Sequence, residues 1–514
     1  METIHPAGER ELIPSEGEKT SLFADTYGGR IHVEWDEQAK VTPLGQLPFF
    51  IDFLKTGDLF EPWVKDCPLT YTSPNAPSKT DVLGTLLLSI LSGHTRYAHI
   101  NAIRFDSVNP ELLGMRKVVS EDSVRRAFQG AEESACEEWL QSHLRRCYEA
   151  LLYEPWILDM DGTVKTLYGK QEGAVAGYNP HKPGRPSHVY QTYIIANLRL
   201  VVDVEVQPGN QTAAAYAQPR LWSFLDSLPK EARPAFVRGD CAWGNETAMR
   251  EAEERGLAYL FKLKQSPNVK RLVEEVFTRA DWAPAGQGWE GVNAELQLMG
   301  WTKSRRVVVL RREIPPETVR RKQEKKAKTY QPELAFMETA APLKQYEYAV
   351  LATSLEDEIM TIAQHYRDRS DAENVFDELK NQWGWSGYMT QDLKRCQIMA
   401  RAIALIYNWW SLFARLAIPE KHAEAVTSRP LLLTGVAKQI RHGGQSTLIV
   451  TNAHSQTAAI QKRLKSLAAF LLELKQNAER LDWQDRWRLI LSRALQKFLQ
   501  GRILARPQWL PQMG

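Results

Sequence analysis

Cysteine is scarce in this chain of 514 residues, and none of its five cysteines forms a CxxC pair with another. That scatter argues against a zinc site or a disulfide framework and is typical of a reducing compartment. Long apolar runs are also absent: the longest, VLGTLLLSIL at 82–91, is about half of the ~20 residues that a membrane-spanning helix needs. The acidic start has no apolar segment of a secretory signal. We expect a cytoplasmic protein with no membrane contact and two to four domains.

Net charge is only +3, but the charges are distributed unevenly. Residues 1–40 hold nine acids and four bases, whereas residues 303–328 hold eleven Lys and Arg against three Glu. Residues 421–514 hold fifteen Lys and Arg against five acids. Two basic regions in a nearly neutral chain indicate a polyanionic partner. Solvated helix faces and a lysine-rich loop are the alternative explanation.

The first part of the chain has helical patterns. Residues 44–152 are predicted to be helices, and Ser120 is a predicted helix N-cap. The stretch 81–135 could form a DNA-reading helix-turn-helix, with plain helical scaffold as the alternative.

From residue 156 onward, short strands alternate with helices, which predicts an α/β core. Asn245 is predicted to cap one of these helices. Further strand-like pieces surround the basic loop in 285–350, and the remainder, after a predicted helix over 357–380, is expected to be helical. The segment 403–418 is apolar nearly all round, so we expect it to be buried in a core or against a partner.

The segment WILDMDGT at 156–163 places Asp159 and Asp161 on one face of a predicted strand, because side chains alternate along a strand. By itself this pattern resembles the first motif of haloacid-dehalogenase-type phosphatases, which would make Asp159 a nucleophile. FVRGDCAWGN at 236–245 resembles a later motif of that family, but it comes too early and lacks the final acid. No convincing Ser/Thr and Lys pair lies between the two segments, so the phosphatase stays the weaker hypothesis.

A third acid changes the interpretation. The segment HYRDRSDAENVFDELKNQWGW is predicted to be one helix, on which Tyr366, Arg369, Glu373 and Lys380 fall within about 60° of one another. A solvated face with an Arg369–Glu373 ion pair would explain that pattern on its own.

The spacing Tyr-x2-Arg-x3-Glu-x6-Lys, however, is the signature of a large family of bacterial insertion-sequence transposases, and this chain has it without a gap. WILDMDGT and FVRGDCAWG resemble that family's first and second Asp strands. The segment at 168–193 is similar to the stretch after the first Asp in one branch of these enzymes. The chain thus resembles a DDE transposase over roughly 156–385.

The resemblance implies an α/β fold with a ribonuclease-H-like catalytic core, interrupted by a β-rich insertion and flanked by helical domains. The implied ranges are 1–152 for an N-terminal DNA-binding domain, 153–284 and 346–420 for the two parts of the core, 285–345 for the insertion, and 421–514 for a basic C-terminal domain.

It also implies that Asp161, Asp240 and Glu373 bind Mg²⁺, with Mn²⁺ as a substitute, and Asp159 is the backup for the first acid. Phosphodiester transfer needs metal ions to activate water or a 3′-hydroxyl and to stabilise the leaving oxygen, and hard cations prefer carboxylate oxygens.

Tyr366, Arg369 and Lys380 would contact the DNA backbone near the cleavage point. The insertion's basic loop, with Arg320, Arg321, Lys325 and Lys326, would lie along the transposon end. Trp289 and Trp301 are candidates for stacking on a flipped base, although core packing would explain either. The implied partners are double-stranded DNA, at transposon ends and target, and a second copy of the chain in the synaptic complex. The implied location is the bacterial cytoplasm, at the nucleoid when DNA is bound. A catalytically dead DNA-binding protein and a nuclease without strand transfer remain alternatives.

Overall fold

The computed structural model of this protein describes residues 22–71, 73, 75–180, 182–315 and 345–505. The described strands are β1 Leu22–Thr26, β2 Gly29–Val33, β3 Val41–Thr42, β4 Ile157–Thr166, β5 Val175–Ala176, β6 Pro186–Ile195, β7 Leu200–Pro208, β8 Phe236–Gly239, β9 Ala258–Lys262, β10 Ala283–Gly286, β11 Trp289–Leu296, β12 Arg305–Glu313, β13 Tyr346–Thr353, β14 Val436–His442 and β15 Gln445–Thr451.

The α-helices among these residues are α1 Leu47–Thr56, α2 Phe60–Asp66, α3 Lys79–Leu91, α4 Asn109–Leu112, α5 Glu121–Ala127, α6 Glu133–Tyr148, α7 Gln218–Asp226, α8 Glu246–Glu254, α9 Pro267–Phe277, α10 Ile359–Arg367, α11 Ser370–Asn381, α12 Leu393–Ala417, α13 Ala425–Leu432, α14 Thr457–Gln476 and α15 Trp483–Ala494. None of them is long and apolar enough to cross a membrane.

A ten-stranded mixed sheet forms the centre of the molecule. Its order is β10-β11-β12-β13-β9-β8-β4-β6-β5, and β7 also pairs with β6. β6 is antiparallel to both β4 and β7, whereas β8 and β9 run parallel to β4. Every residue of β8 is buried, as expected for a parallel strand covered on both faces. The prediction of an α/β fold is confirmed.

The strands predicted for the insertion belong to this same sheet. β13 pairs antiparallel with β9, so β10 to β13 extend the sheet beyond the parallel strands. Hydrogen bonding is therefore continuous across the predicted boundary at residue 345/346.

The long helix α12 is buried along nearly its whole length. It packs against β7 and α6 on one side and against α14 and α15 on others. The side chain of Asn408 fixes it to the sheet, donating to the carbonyl of Val201 at 2.8 Å and accepting from the amide of Val201 at 2.9 Å. The prediction that 403–418 is buried is confirmed.

The prediction that the chain after α12 is helical was wrong for one segment. β14 and β15 form a hairpin that also pairs with β3 from the other end of the chain. The turn residues Gly443 and Gly444 both have positive φ, 56° and 79°, which is the requirement of the tight turn that suits a two-residue hairpin. The β-branched residues of TLIVT then favour a strand over a helix.

Two predicted helix caps are confirmed. The Ser120 side chain accepts a hydrogen bond from the Ser123 amide at the start of α5, and the Asn245 side chain accepts one from the Ala248 amide at the start of α8.

Candidate active site

Asp159 lies inside the core and not at the surface. It is 1% exposed and faces Arg238 on the adjacent parallel strand β8. Arg238 donates to both carboxylate oxygens, at 2.5 and 2.7 Å, and also to the backbone carbonyl of His365. A bidentate pair of this kind occupies the carboxylate fully. Asp159 is therefore not accessible as a phosphatase nucleophile, and its contacts do not favour its use as a backup first acid.

Asp161 and Asp240 lie side by side, each one residue beyond the last paired residues of β4 and β8. Asp161 is two residues beyond Asp159 on β4, and Asp240 immediately follows β8. β4 and β8 are parallel, so both strands run toward the same side of the sheet. In parallel sheets the functional groups lie at the carboxyl ends of the strands. The Asp240 carboxylate accepts from the amide of Ala242 at 2.9 Å.

The Tyr-Arg-Glu-Lys motif spans two helices, so the prediction of one continuous helix was wrong. Tyr366 is on α10, Glu373 and Lys380 are on α11, and Arg369 lies at the junction. The amide of Arg369 bonds the carbonyl of Tyr366 at 3.2 Å, a three-residue bond that tightens the chain and interrupts the 3.6-residue period.

Arg369 connects the first and third predicted acids. Its guanidinium donates to Asp161 at 2.5 Å and to Glu373 at 3.1 Å. Arg369 is buried, Asp161 is largely buried, and the Glu373 side chain is 65% exposed. Burial raises the pKa of Asp161 to about 6; the negative charges of Asp240 and Glu373 add to that rise, and Arg369 opposes it.

Tyr366 and Lys380 lie on either side of this group. Tyr366 is partly buried, and burial raises the pKa of its phenol above the ordinary range. The Lys380 ammonium donates to the Thr163 hydroxyl at 3.1 Å and to the Val164 carbonyl at 3.3 Å. Lys380 is thus held against the second half of β4, away from the carboxylates.

A cavity of about 450 Å³ opens beside the acids, between the core and β11 to β13. Its lining includes Asp240, Glu373, Arg369, Tyr366, Trp289, Lys262 and Arg367. Trp301 is instead buried, with the Arg305 guanidinium 5.3 Å from its ring centre. The structure therefore brings only one of the two candidate tryptophans into this cavity.

Lys262 and Arg367 were not among the predicted site residues. Lys262 ends β9, which is parallel to β8. Its position at the end of a predicted strand is the feature of the sequence that could have identified it as a site residue. Arg367 follows Tyr366 directly, but its Nη1 also donates to the Ala285 carbonyl at 2.7 Å. Only the folded chain shows that second contact.

A divalent cation would find carboxylate donors here, although the side chains are not arranged around one. Among the described residues, no three His, Cys, Asp or Glu side chains form a group that could hold a metal ion. The cation that Asp161 and Glu373 share is the guanidinium of Arg369. The carboxylate donors fit a hard cation. A bound cation would stabilise the charged form of Asp161, whose pKa is raised by burial and by the neighbouring negative charges.

Arg320, Arg321, Lys325 and Lys326, predicted to bind DNA, lie outside the described residues. In the loop that precedes β6, Lys182 and Arg185 are exposed and lie near the ring of Tyr168.

Comparisons with known proteins give two findings. A family model described as "Transposase DDE domain group 1" matches residues 75–471. The cryo-EM structure of a piggyBac transposase synaptic complex with hairpin DNA aligns over 88% of this chain and 88% of that chain, at 10% identity and a TM-score of 0.37. None of the curated proteins matches this chain significantly.

Proposed function

The chain belongs to the family of transposases with a DDE domain of group 1, and from that premise we propose how it acts. It binds the terminal inverted repeats of a bacterial insertion sequence and catalyses metal-dependent DNA cleavage and strand transfer. Its catalytic core is ribonuclease-H-like: β7-β6-β4-β8-β9, with β4, β8 and β9 parallel, would belong to that core together with β13, and β11 and β12 would belong to the insertion.

One observation carries the assignment of the site. Asp161, Asp240 and Glu373 are far apart in the sequence. Asp161 and Asp240 nevertheless each follow the last paired residue of β4 and β8, and Arg369 links Asp161 to Glu373. Burial raises the pKa of Asp161, and the negative charges of Asp240 and Glu373 raise it further. A carboxyl group whose pKa is raised by burial and by neighbouring negative charges is a functional-site signal.

These three carboxylates would hold Mg²⁺ or Mn²⁺. Bound metal would supply activation of the attacking oxygen and stabilisation of the leaving oxygen. Arg369 neutralises Asp161 and Glu373 in the present conformation, so it would be released when they take a metal. A guanidinium released at this position suits a DNA phosphate.

The cavity beside the acids would receive the end of the transposon. Lys262 and Arg367 add positive charge to its wall, and Tyr366 offers a phenol. Trp289 is half-buried in that wall, which supports stacking on a displaced base, a contact worth about 1–3 kcal/mol per base in other proteins. Lys380 and the basic residues Arg320, Arg321, Lys325 and Lys326 would contact the backbone further along. The protein would act as a homodimer, in the cytoplasm and on the nucleoid.

A cleavage and joining assay tests this function. The substrate is DNA with the inverted repeats that flank the gene, supplied with Mg²⁺ and, separately, with a chelator. We expect metal-dependent breaks at the repeat ends and joining to target DNA, lost in Asp161→Asn, Asp240→Asn and Glu373→Gln. Asp377→Asn is the matched control, because Asp377 is an exposed acid one turn along α11 and should be dispensable.

Other results would overturn parts of the proposal. Cleavage without joining would identify a nuclease of the same fold. DNA binding without cleavage would identify a dead relative. Hydrolysis of a simple phosphate ester that depends on Asp159 alone would support the phosphatase hypothesis instead.

A further inference from the structure

The hairpin of β1 and β2 has an apolar face that none of the described residues covers. All ten strand residues of this hairpin are exposed. The cross-strand pairs Leu22–Val33 and Ala24–Ile31 share one face, since opposite residues of an antiparallel pair point the same way. Leu22 and Ile31 are 56% and 54% exposed. A lone two-stranded hairpin is marginally stable in water, so this face needs a cover.

The other face of the hairpin carries an ion pair beside the ring of Phe23, which is 50% exposed. Asp25 accepts from Arg30 at 2.9 and 3.2 Å, and the Arg30 guanidinium lies 4.1 Å from the ring centre of Phe23. The charged side chains of the hairpin are therefore confined to one face, and the face of Leu22 and Ile31 carries none.

A second open face lies on the sheet formed by β3, β14 and β15. Its register places Val436, Ile440, Ile449 and Val41 together on one side, around Lys438. All four apolar residues are exposed. Ala437, between Val436 and Lys438, points the other way and is buried, so this sheet is packed on one side only.

The segment that follows the hairpin and the sheet face differ in charge. Acidic residues Glu34, Asp36 and Glu37 follow the hairpin and are exposed. Residues 436–456 contain no acid, and Lys438 has no ion pair with any residue that the structure describes. Opposite potentials of this kind steer and align partners.

The connection between the hairpin and the sheet is short and locally folded. Asp36 accepts from the amides of Gln38 and Ala39 at 3.1 and 3.0 Å, which folds the linker 34–40 into a turn. Within the part of the chain that the structure describes, both the hairpin face and the sheet face are uncovered.

We infer that the β1–β2 hairpin of one copy docks on the β3–β14–β15 face of a second copy, and that two such reciprocal contacts form a closed homodimer. Both contacts form together in a two-fold dimer, which leaves no free face for further growth. The dimer itself is part of the proposed function, and this inference assigns its interface. The test measures mass, so the interface and the DNA chemistry can fail separately.

Light scattering on the full-length chain tests the interface. We expect a mass of twice 58.7 kDa for the wild type, and loss of the dimer to 58.7 kDa for Ile31→Glu and for Ile449→Glu. Ile503→Glu is the matched control, because Ile503 is an exposed isoleucine outside both faces, and it should stay dimeric.

Mixing the two variants separates exchange between chains from docking within one chain. A mixture of Ile31→Glu and Ile449→Glu chains contains one intact hairpin and one intact sheet face, on different copies. Partial recovery of the dimer in the mixture supports the inference. A monomeric wild type, no recovery on mixing, or unchanged mass with weakened binding to repeat DNA in Ile31→Glu would overturn it; the last result would mean that the hairpin covers DNA.

Discussion

Two carboxylates on β4 that are two positions apart have different surroundings. Asp159 is enclosed with Arg238 inside the core, whereas Asp161 lies beyond the end of β8 and shares Arg369 with Glu373. The same alternation places both on one face. Their depth in the molecule differs because β8 covers Asp159 and ends before it reaches Asp161.

Removing the charge of Asp159 should destabilise the fold more than it affects the chemistry directly. Asp159→Asn leaves Arg238 as a buried cation without its partner, which typically costs about 3–5 kcal/mol. The measurement is the free energy of unfolding from urea titration. Asp161→Asn is the comparison and should cost less, because Arg369 retains Glu373. Equal losses in the two variants would contradict the structural role of Asp159.

Glu205 on β7 gives the stability a pH dependence. It is 1% exposed, beside a cavity of about 820 Å³ that it lines with Arg220 and Glu137. Burial raises the pKa of Glu205 from 4.5 to about 7; Arg220 opposes that rise and Asp203 adds to it. The folded state therefore holds a proton that the unfolded state has already lost between these two pH values.

Stability should fall as the pH rises from about 4.5 to 7, because the folded state binds more protons in this window. The contribution of this group is at most about 3.5 kcal/mol, at about 1.4 kcal/mol per pH unit. Urea midpoints at several pH values measure it. Glu205→Gln stays neutral and should lose this part of the slope; an unchanged slope would show that other groups cause it.

Among the elements, Arg305 joins the predicted insertion to the core. It is buried on β12 and donates to Glu246 and Glu253, which lie two turns apart on α8, at 2.5 to 3.3 Å. Burial alone would raise the pKa of Glu253, but hydrogen bonds from Arg305, Lys303 and Tyr259 lower it to about 2. One guanidinium thus fixes the strand to the helix that follows Asp240.

Arg305→Ala should cost about 2–3 kcal/mol, because charged hydrogen bonds to two carboxylates are lost and, among the described residues, only Glu253 keeps a cation, Lys303 at 3.1 Å. Amide hydrogen exchange in β11 and β12 should also become faster than in β4. Arg312→Ala, on the same strand but in an exposed pair with Glu347, should cost under about 1 kcal/mol. A similar loss in both variants would mean that β12 is held by its pairing alone.

For the molecule as a whole, one hydrophobic cluster runs from Leu44 to Leu504. The two ends of the chain meet in it: the rings of Phe53 and Trp487 are 6.0 Å apart, and the Trp487 indole donates to the Arg146 carbonyl at 2.7 Å. The helices α14 and α15 therefore complete a core that begins with α1.

A chain that ends at residue 456 should fail to fold, because it exposes the apolar surface that α14 and α15 cover. Circular dichroism and solubility measure this. The control begins at residue 35 and lacks the exposed hairpin; at a concentration where both chains are monomeric, its melting temperature should match that of the full chain. A soluble, cooperatively folding chain 1–456 would show that the C-terminal helices form a separate unit.

The sequence determined what depends on near neighbours. The apolar runs of β4 and β8, the caps Ser120 and Asn245, the buried helix within 393–417 and the spacing of the Tyr-Arg-Glu-Lys motif could all be found by local pattern. So could Asp240 as a strand-end acid. Propensity, capping and periodicity act over a few residues, so one stretch of chain contains the information.

Only the tertiary structure decided matters that depend on distant partners. Asp159 is buried because Arg238, 79 residues away, lies on the adjacent strand. Arg369 reaches Asp161 across 208 residues, at a break between α10 and α11 that helical periodicity did not predict. The C-terminal hairpin joins β3 from the other end of the chain. Contacts of this range are fixed by the packing of the whole chain, because burial and partner choice are properties of position in the fold and not of the local sequence.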